Sequence, residues 1–89
     1  MSEESGSKGK ADYIDSHVGK RLKRRRILLG MSQQDLGEAV NVSIQQIQKY
    51  EKATNRIASG KLYSLAQLLQ VPVSYFFDQD DEQTTLGFA

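Results

Sequence analysis

In the stretch VNVSIQQIQKYEK, residues 40–52, the side chains of Gln45, Gln48, Lys49 and Lys52 project to one side of a helix, and that side carries no acid. A solvated helix face ordinarily mixes both signs of charge to gain i,i+4 pairs, so this one answers another demand. The amide of glutamine donates and accepts at once, which matches the N6/N7 edge of adenine, while lysine reaches guanine O6/N7 or a phosphate. A carboxylate in the same place would be repelled by a phosphate backbone. Ile47, Tyr50 and Glu51 lie on the opposite, packing side.

No other residues offer chemistry that definite. The 89 residues contain no cysteine and one histidine, His17. That excludes disulfides, thiolate nucleophiles and cysteine-ligated zinc, and leaves almost nothing for a histidine metal cluster or a catalytic triad. An enzyme is not expected, and neither is a metal or a cofactor. No apolar run approaches the roughly 20 residues of a membrane span. The start, MSEESGSKGKAD, lacks the apolar segment of a secretory signal, so a soluble protein in the cytoplasm is the expectation. The formal net charge of +1 conceals its distribution: from Ser16 to Phe77 ten Lys or Arg stand against three acids. Asp78, Asp80, Asp81 and Glu82 open an acidic tail. A basic body with acidic ends suits a polyanionic partner.

The presented face needs elements to hold it. Residues 1–12 show no apolar periodicity and read as a flexible N-terminal arm. Ile14, Val18, Leu22, Arg25/Arg26 and Leu29 recur at helical spacing and Gly30 closes the run, giving helix 1 at about 15–29, with KRLKRRR on and around its polar side. Ser32 and Asp35 form a capping box for helix 2, 33–40, and Asn41 suits a left-handed turn. Ser43 and Gln46 cap helix 3, 44–52. Helix 4 covers about 59–69, and Pro72 leads into a short helix 5, 73–77. The domain spans 13–78, and 79–89 is an acidic, polar C-terminal tail.

Two short helices joined by about three residues, the second presenting amides and lysines, have the sequence form of a helix-turn-helix. RRRILLGMSQQDLGEAVNVSIQQIQKYEK followed by LYSLAQLLQVPVSYFF resembles the lambda-repressor-like, or xenobiotic-response-element type, helix-turn-helix domain of bacterial and phage transcription regulators. The resemblance covers about sixty of the 89 positions. It implies an all-α domain of five helices that binds double-stranded DNA with helix 3 in the major groove.

By that resemblance Ser43, Ile44, Gln45, Gln46 and Lys49 face bases and nearby phosphates, and Ile44 could press on a thymine methyl group. Gln33 matches a position that touches a phosphate with side chain and backbone amide. Arg26 and Glu51 match an ion pair bridging helix 1 to helix 3, in agreement with their angular positions. Lys23, Arg24, Gln48, Lys52, Asn55 and Arg56 are further candidates for phosphate contact. Departures from the family pattern are Gly37 for a usual alanine, and Asn41 and Ala53 for usual glycines.

One recognition helix contacts only about four or five base pairs, so useful specificity requires a homodimer on a palindromic operator with half-sites ~34 Å apart. Val73, Tyr75, Leu86 and Phe88 are the residues expected at its surface. An antitoxin-like module that holds a protein partner and binds DNA secondarily is the alternative, and an RNA-associated adaptor is a third.

Overall fold

The computed structural model describes residues 2–78, with side chains from Asp12 onward. Four α-helices and one 3-10 helix follow one another: α1 (Ser2–Leu28), α2 (Gln33–Val40), α3 (Ile44–Lys52), α4 (Ser59–Leu69) and the 3-10 helix Val73–Phe77. Residues 33–40, 44–52 and 59–69 are helical where the sequence reading puts them. Two expectations change. Helix α1 begins at Ser2, so the segment expected to be an arm is part of a helix. The sequence of that segment carries no apolar stripe, so periodicity does not register it. The fifth helix is 3-10 rather than α: five residues after Pro72 close through bonds such as Tyr75 N–H to the Pro72 carbonyl, 2.9 Å. The expected tail, 79–89, lies outside the described residues.

Every α-helix ends on a residue in the left-handed region: Gly30 (φ 72), Asn41 (φ 63), Ala53 (φ 62) and Gln70 (φ 61). Each donates its amide back to the last turn, and the residue after it donates to the carbonyl one residue earlier, as Met31 does to the Arg26 carbonyl at 3.0 Å and Val42 to that of Gly37 at 2.8 Å. Helix α2 starts in a reciprocal box: Asp35 N–H to the Ser32 hydroxyl, 2.9 Å, and Ser32 N–H to the Asp35 carboxylate, 3.1 Å. These bonds hold Asp35 below its ordinary value of 3.8, the Ser32 backbone amide first and the hydroxyl second.

The apolar faces meet in one core of Val18, Leu22, Leu36, Val40, Ile47, Tyr50, Leu62, Leu65, Ala66, Leu69 and Phe76. Two glycines set the spacing of its helices. A Cβ on Gly19 would stand 2.7 Å from the carbonyl oxygens of Tyr50 and Glu51, so α1 crosses against the backbone of α3. A Cβ on Gly37 would stand 2.6 Å from the Val42 carbonyl oxygen. Gly37 is therefore required by the tight α2–α3 turn, despite its cost in helix propensity.

Basic residues tie the helix ends together. Arg25 Nε donates to the Leu69 carbonyl at 2.9 Å and Lys61 Nζ to the Val40 carbonyl at 2.8 Å, placing cations at the negative ends of α4 and α2. Arg21, buried, donates to the Tyr75 carbonyl at 2.9 Å and lies 3.9 Å over that ring.

Candidate nucleic-acid interface

Helix α3 is positioned from beneath by Ile47, Tyr50 and Glu51, all buried, with Ile47 fully so. Ser43 starts it by accepting the Gln46 amide at 3.0 Å. The opposite side is open: Ser43, Ile44, Gln45, Gln48, Lys49 and Lys52 are exposed, and Gln46 is half-buried. Ile44, 37% exposed, is an apolar side chain held at a helix start where the core does not need it. This is the acid-free face expected from the sequence, brought to the surface beside the first turn of α2.

Glu51 faces inward and meets Arg26. Arg26 Nε donates to Oε2 at 2.6 Å and Nη2 to Oε1 at 3.2 Å, a forked geometry in a buried setting, while Nη1 takes the Met31 carbonyl at 2.8 Å. Gln33 Nε2 adds a third donor to the carboxylate, at 2.9 Å on Oε1, and Gln48 Nε2 donates to Gln33 Oε1 at 3.3 Å. One hydrogen-bonded chain thus runs from α1 through α3 and α2 to the exposed face. The Gln33 side chain, expected at a phosphate, is a member of this chain and keeps one further N–H. The first amides of α2 beside it have no partner within their helix, as at any helix start.

The remaining expected contacts divide. Lys23 and Arg24 are exposed on α1, and Asn55 is exposed in the loop after α3. Arg56, expected at a phosphate, donates through Nε to Asp15 at 2.7 Å and fastens that loop to α1, its side chain still largely exposed. The bond and the charge of Asp15 raise the guanidinium pKa above its usual value. Val73 and Tyr75, expected on a dimer surface, are half-buried against the core, Tyr75 under Arg21 and edge-on to Phe76. Leu86 and Phe88 lie outside the described residues. The exposed apolar groups of the described chain include Tyr13, Ile14 and Phe77, with Ile27, Leu28 and Leu29 at the end of α1.

Sequence reasoning missed the inward role of Arg21 and Lys61, which it counted as surface charge, and the carbonyl that Arg25 reaches. A cation one turn from a helix margin reads as solvated whether it reaches a carbonyl or water, so no local signal marks them.

A family model described as helix-turn-helix matches residues 22–76. A relative from Sinorhizobium medicae (strain WSM419), an uncharacterized HTH-type transcriptional regulator, is 53% identical over 72 residues, covering 81% of this chain and 52% of its own. The chain spans about half the length of the curated relatives it matches. Among solved structures, the P22 c2 repressor protein in complex with synthetic operator 9T is 30% identical with a TM-score of 0.65, over 71% of this chain and 96% of that one. The clp gene regulator ClgR from Corynebacterium glutamicum shares the fold, with a TM-score of 0.72 at 21% identity over 84% of this chain and 80% of its own. With the model covering more than half of its residues, the chain belongs to the helix-turn-helix family of the lambda-repressor-like, xenobiotic-response-element type.

Proposed function

We propose that this domain binds double-stranded DNA sequence-specifically as the DNA-reading part of a transcriptional regulator. The observation that carries the reading is the exposed, acid-free face of α3, held on a buried ion pair and flanked by the amino end of α2. Helix α3 enters the major groove with Ile44, Gln45 and Lys49 toward base edges, while Lys52 and the first amides of α2 meet phosphates. The operator complex of the P22 c2 repressor, a protein of the same fold and 30% identity, supports this placement.

A homodimer on a palindromic operator follows from the small number of base pairs one helix can read. No helix among the described residues is long and apolar enough to cross a membrane, and action in the cytoplasm is consistent with that. Selection of bound sequences from random duplex DNA tests the reading, since palindromy and half-site spacing report base preference and symmetry together. Affinity for the selected site is expected to fall with salt at a log–log slope of about −0.9 per phosphate contacted. Retention of no duplex, or binding without salt dependence, overturns it.

A further inference from the structure

The side chain of Gln33 stands between two groups that leave its amide one orientation. Its Nε2 donates to Glu51 Oε1 at 2.9 Å, and its Oε1 accepts from Gln48 Nε2 at 3.3 Å. Glu51 is buried, and Arg26 donates to both of its carboxylate oxygens. An ionised carboxylate only accepts, so a flipped Gln33 amide would set its own oxygen against a negative one. The Gln33 oxygen is thereby turned toward α3, where a donor alone satisfies it. Gln48 answers with one N–H, which leaves its Oε1 as an acceptor, beside its second N–H, directed away from the chain of bonds.

We propose that Glu51 and Gln33 are positioning residues for base recognition: through Gln33, the buried carboxylate turns the Gln48 amide oxygen outward, and Gln48 reads an amino group on a base edge. This rests on the reading that α3 enters the major groove. A phosphate presents only acceptors, so it could take the remaining N–H but would leave the outward amide oxygen unpaired, whereas a base edge with an amino group can satisfy the oxygen. In the groove, the amino groups are adenine N6 and cytosine N4, whereas guanine O6 and N7 and thymine O4 are acceptors. Gln48 is accordingly assigned to a base edge, away from the phosphate contact expected of it. An ion pair that holds two helices together also decides which base is accepted at one position.

The test compares wild type, Gln33→Ala, Gln48→Ala and the double variant in selection from random duplex DNA. Wild type is expected to favour adenine or cytosine at one position per half-site by about five- to tenfold, the low end for a single base contact. Either single variant flattens that preference, the double variant flattens it no further, and preferences elsewhere persist. Gln33→Ala weakening all sequences alike, with preferences intact, overturns the proposal, as does a preference for guanine or thymine that Gln48→Ala abolishes.

A second measurement needs no DNA. The side-chain amide NMR signals of Gln48 in the unbound protein are expected to shift on Gln33→Ala, and unshifted signals overturn the relay even where DNA is bound. Retention of no duplex by wild type, with the amide shift present, overturns the groove reading and the base assignment with it. The two failures are thus distinguishable.

Discussion

Gly19 of α1 lies directly against the main chain of Glu51, close enough that a Cβ would come within 2.7 Å of the Glu51 carbonyl oxygen. The neighbour is backbone at the end of α3, which cannot rotate aside as a side chain could. Gly19→Ala is therefore expected to destabilise by about 1–3 kcal/mol through overpacking. Gly60→Ala in α4, where a Cβ meets nothing within 4 Å, is the control and should stabilise by up to about 1 kcal/mol. Urea unfolding of both variants checks the contrast.

Removing the carboxylate of Glu51 leaves Arg26 buried without its partner and Gln33 without its acceptor. Glu51→Ala should cost about 3–5 kcal/mol. Small domains have only about 5–15 kcal/mol in total, so the variant should melt far below the wild type. An unchanged melting temperature would remove the pair from the structural account.

Ala53 carries a Cβ at φ 62, a conformation that costs an ordinary residue roughly 1–2 kcal/mol. Ala53→Gly relieves that strain but gives the unfolded chain more freedom, which takes back about 0.4–1 kcal/mol. A net gain between about zero and ~1.6 kcal/mol is expected by thermal or urea unfolding.

The Ser32–Asp35 box makes one contribution to stability pH-dependent. Asp35 has its pKa lowered in the folded state by the Ser32 amide and hydroxyl, so the box contributes fully above the ordinary value of 3.8. That contribution is lost as pH falls through the lowered folded value, because the protonated acid is a weaker acceptor. Asp35→Asn should show a shallower decline in urea midpoint below pH 4 than wild type; parallel curves would contradict the assignment.

Lys49 and Arg56 are both cations near the recognition helix, but only Lys49 is unencumbered by an acid in the described bonds. Lys49→Ala should weaken DNA binding, relax one base position by about 1–3 kcal/mol if it reads guanine, and otherwise reduce the salt slope by about 1. Arg56→Ala should leave the salt slope unchanged. Filter binding across a salt series distinguishes them.

How much of this was legible beforehand follows from how local each signal is. Helices α2 and α3 were readable because Ser32, Asp35, Asn41 and Ser43 specify their ends within a few residues. The Arg26–Glu51 pair was readable because both residues fall on inward-facing helical positions and the family pattern joins them. The start of α1 was not, since a helix without an apolar stripe leaves no periodic trace. The Arg56–Asp15 bond and the carbonyl contacts of Arg21, Arg25 and Lys61 join segments distant in sequence, and only the packed chain brings them together. The Gln33 chain belongs to the same class: each amide was visible as a candidate contact, but its orientation depends on a carboxylate eighteen residues away.

The bend between α2 and α3 bears on the thermodynamics of association. With Val42 bonded back to Gly37, Ser43 closing the next turn and Gly37 tight beneath, the two-helix unit is already in its docking shape before any encounter. Complex formation then loses little chain entropy there, and its heat-capacity change should reflect dehydrated surface, without the larger signature of coupled folding.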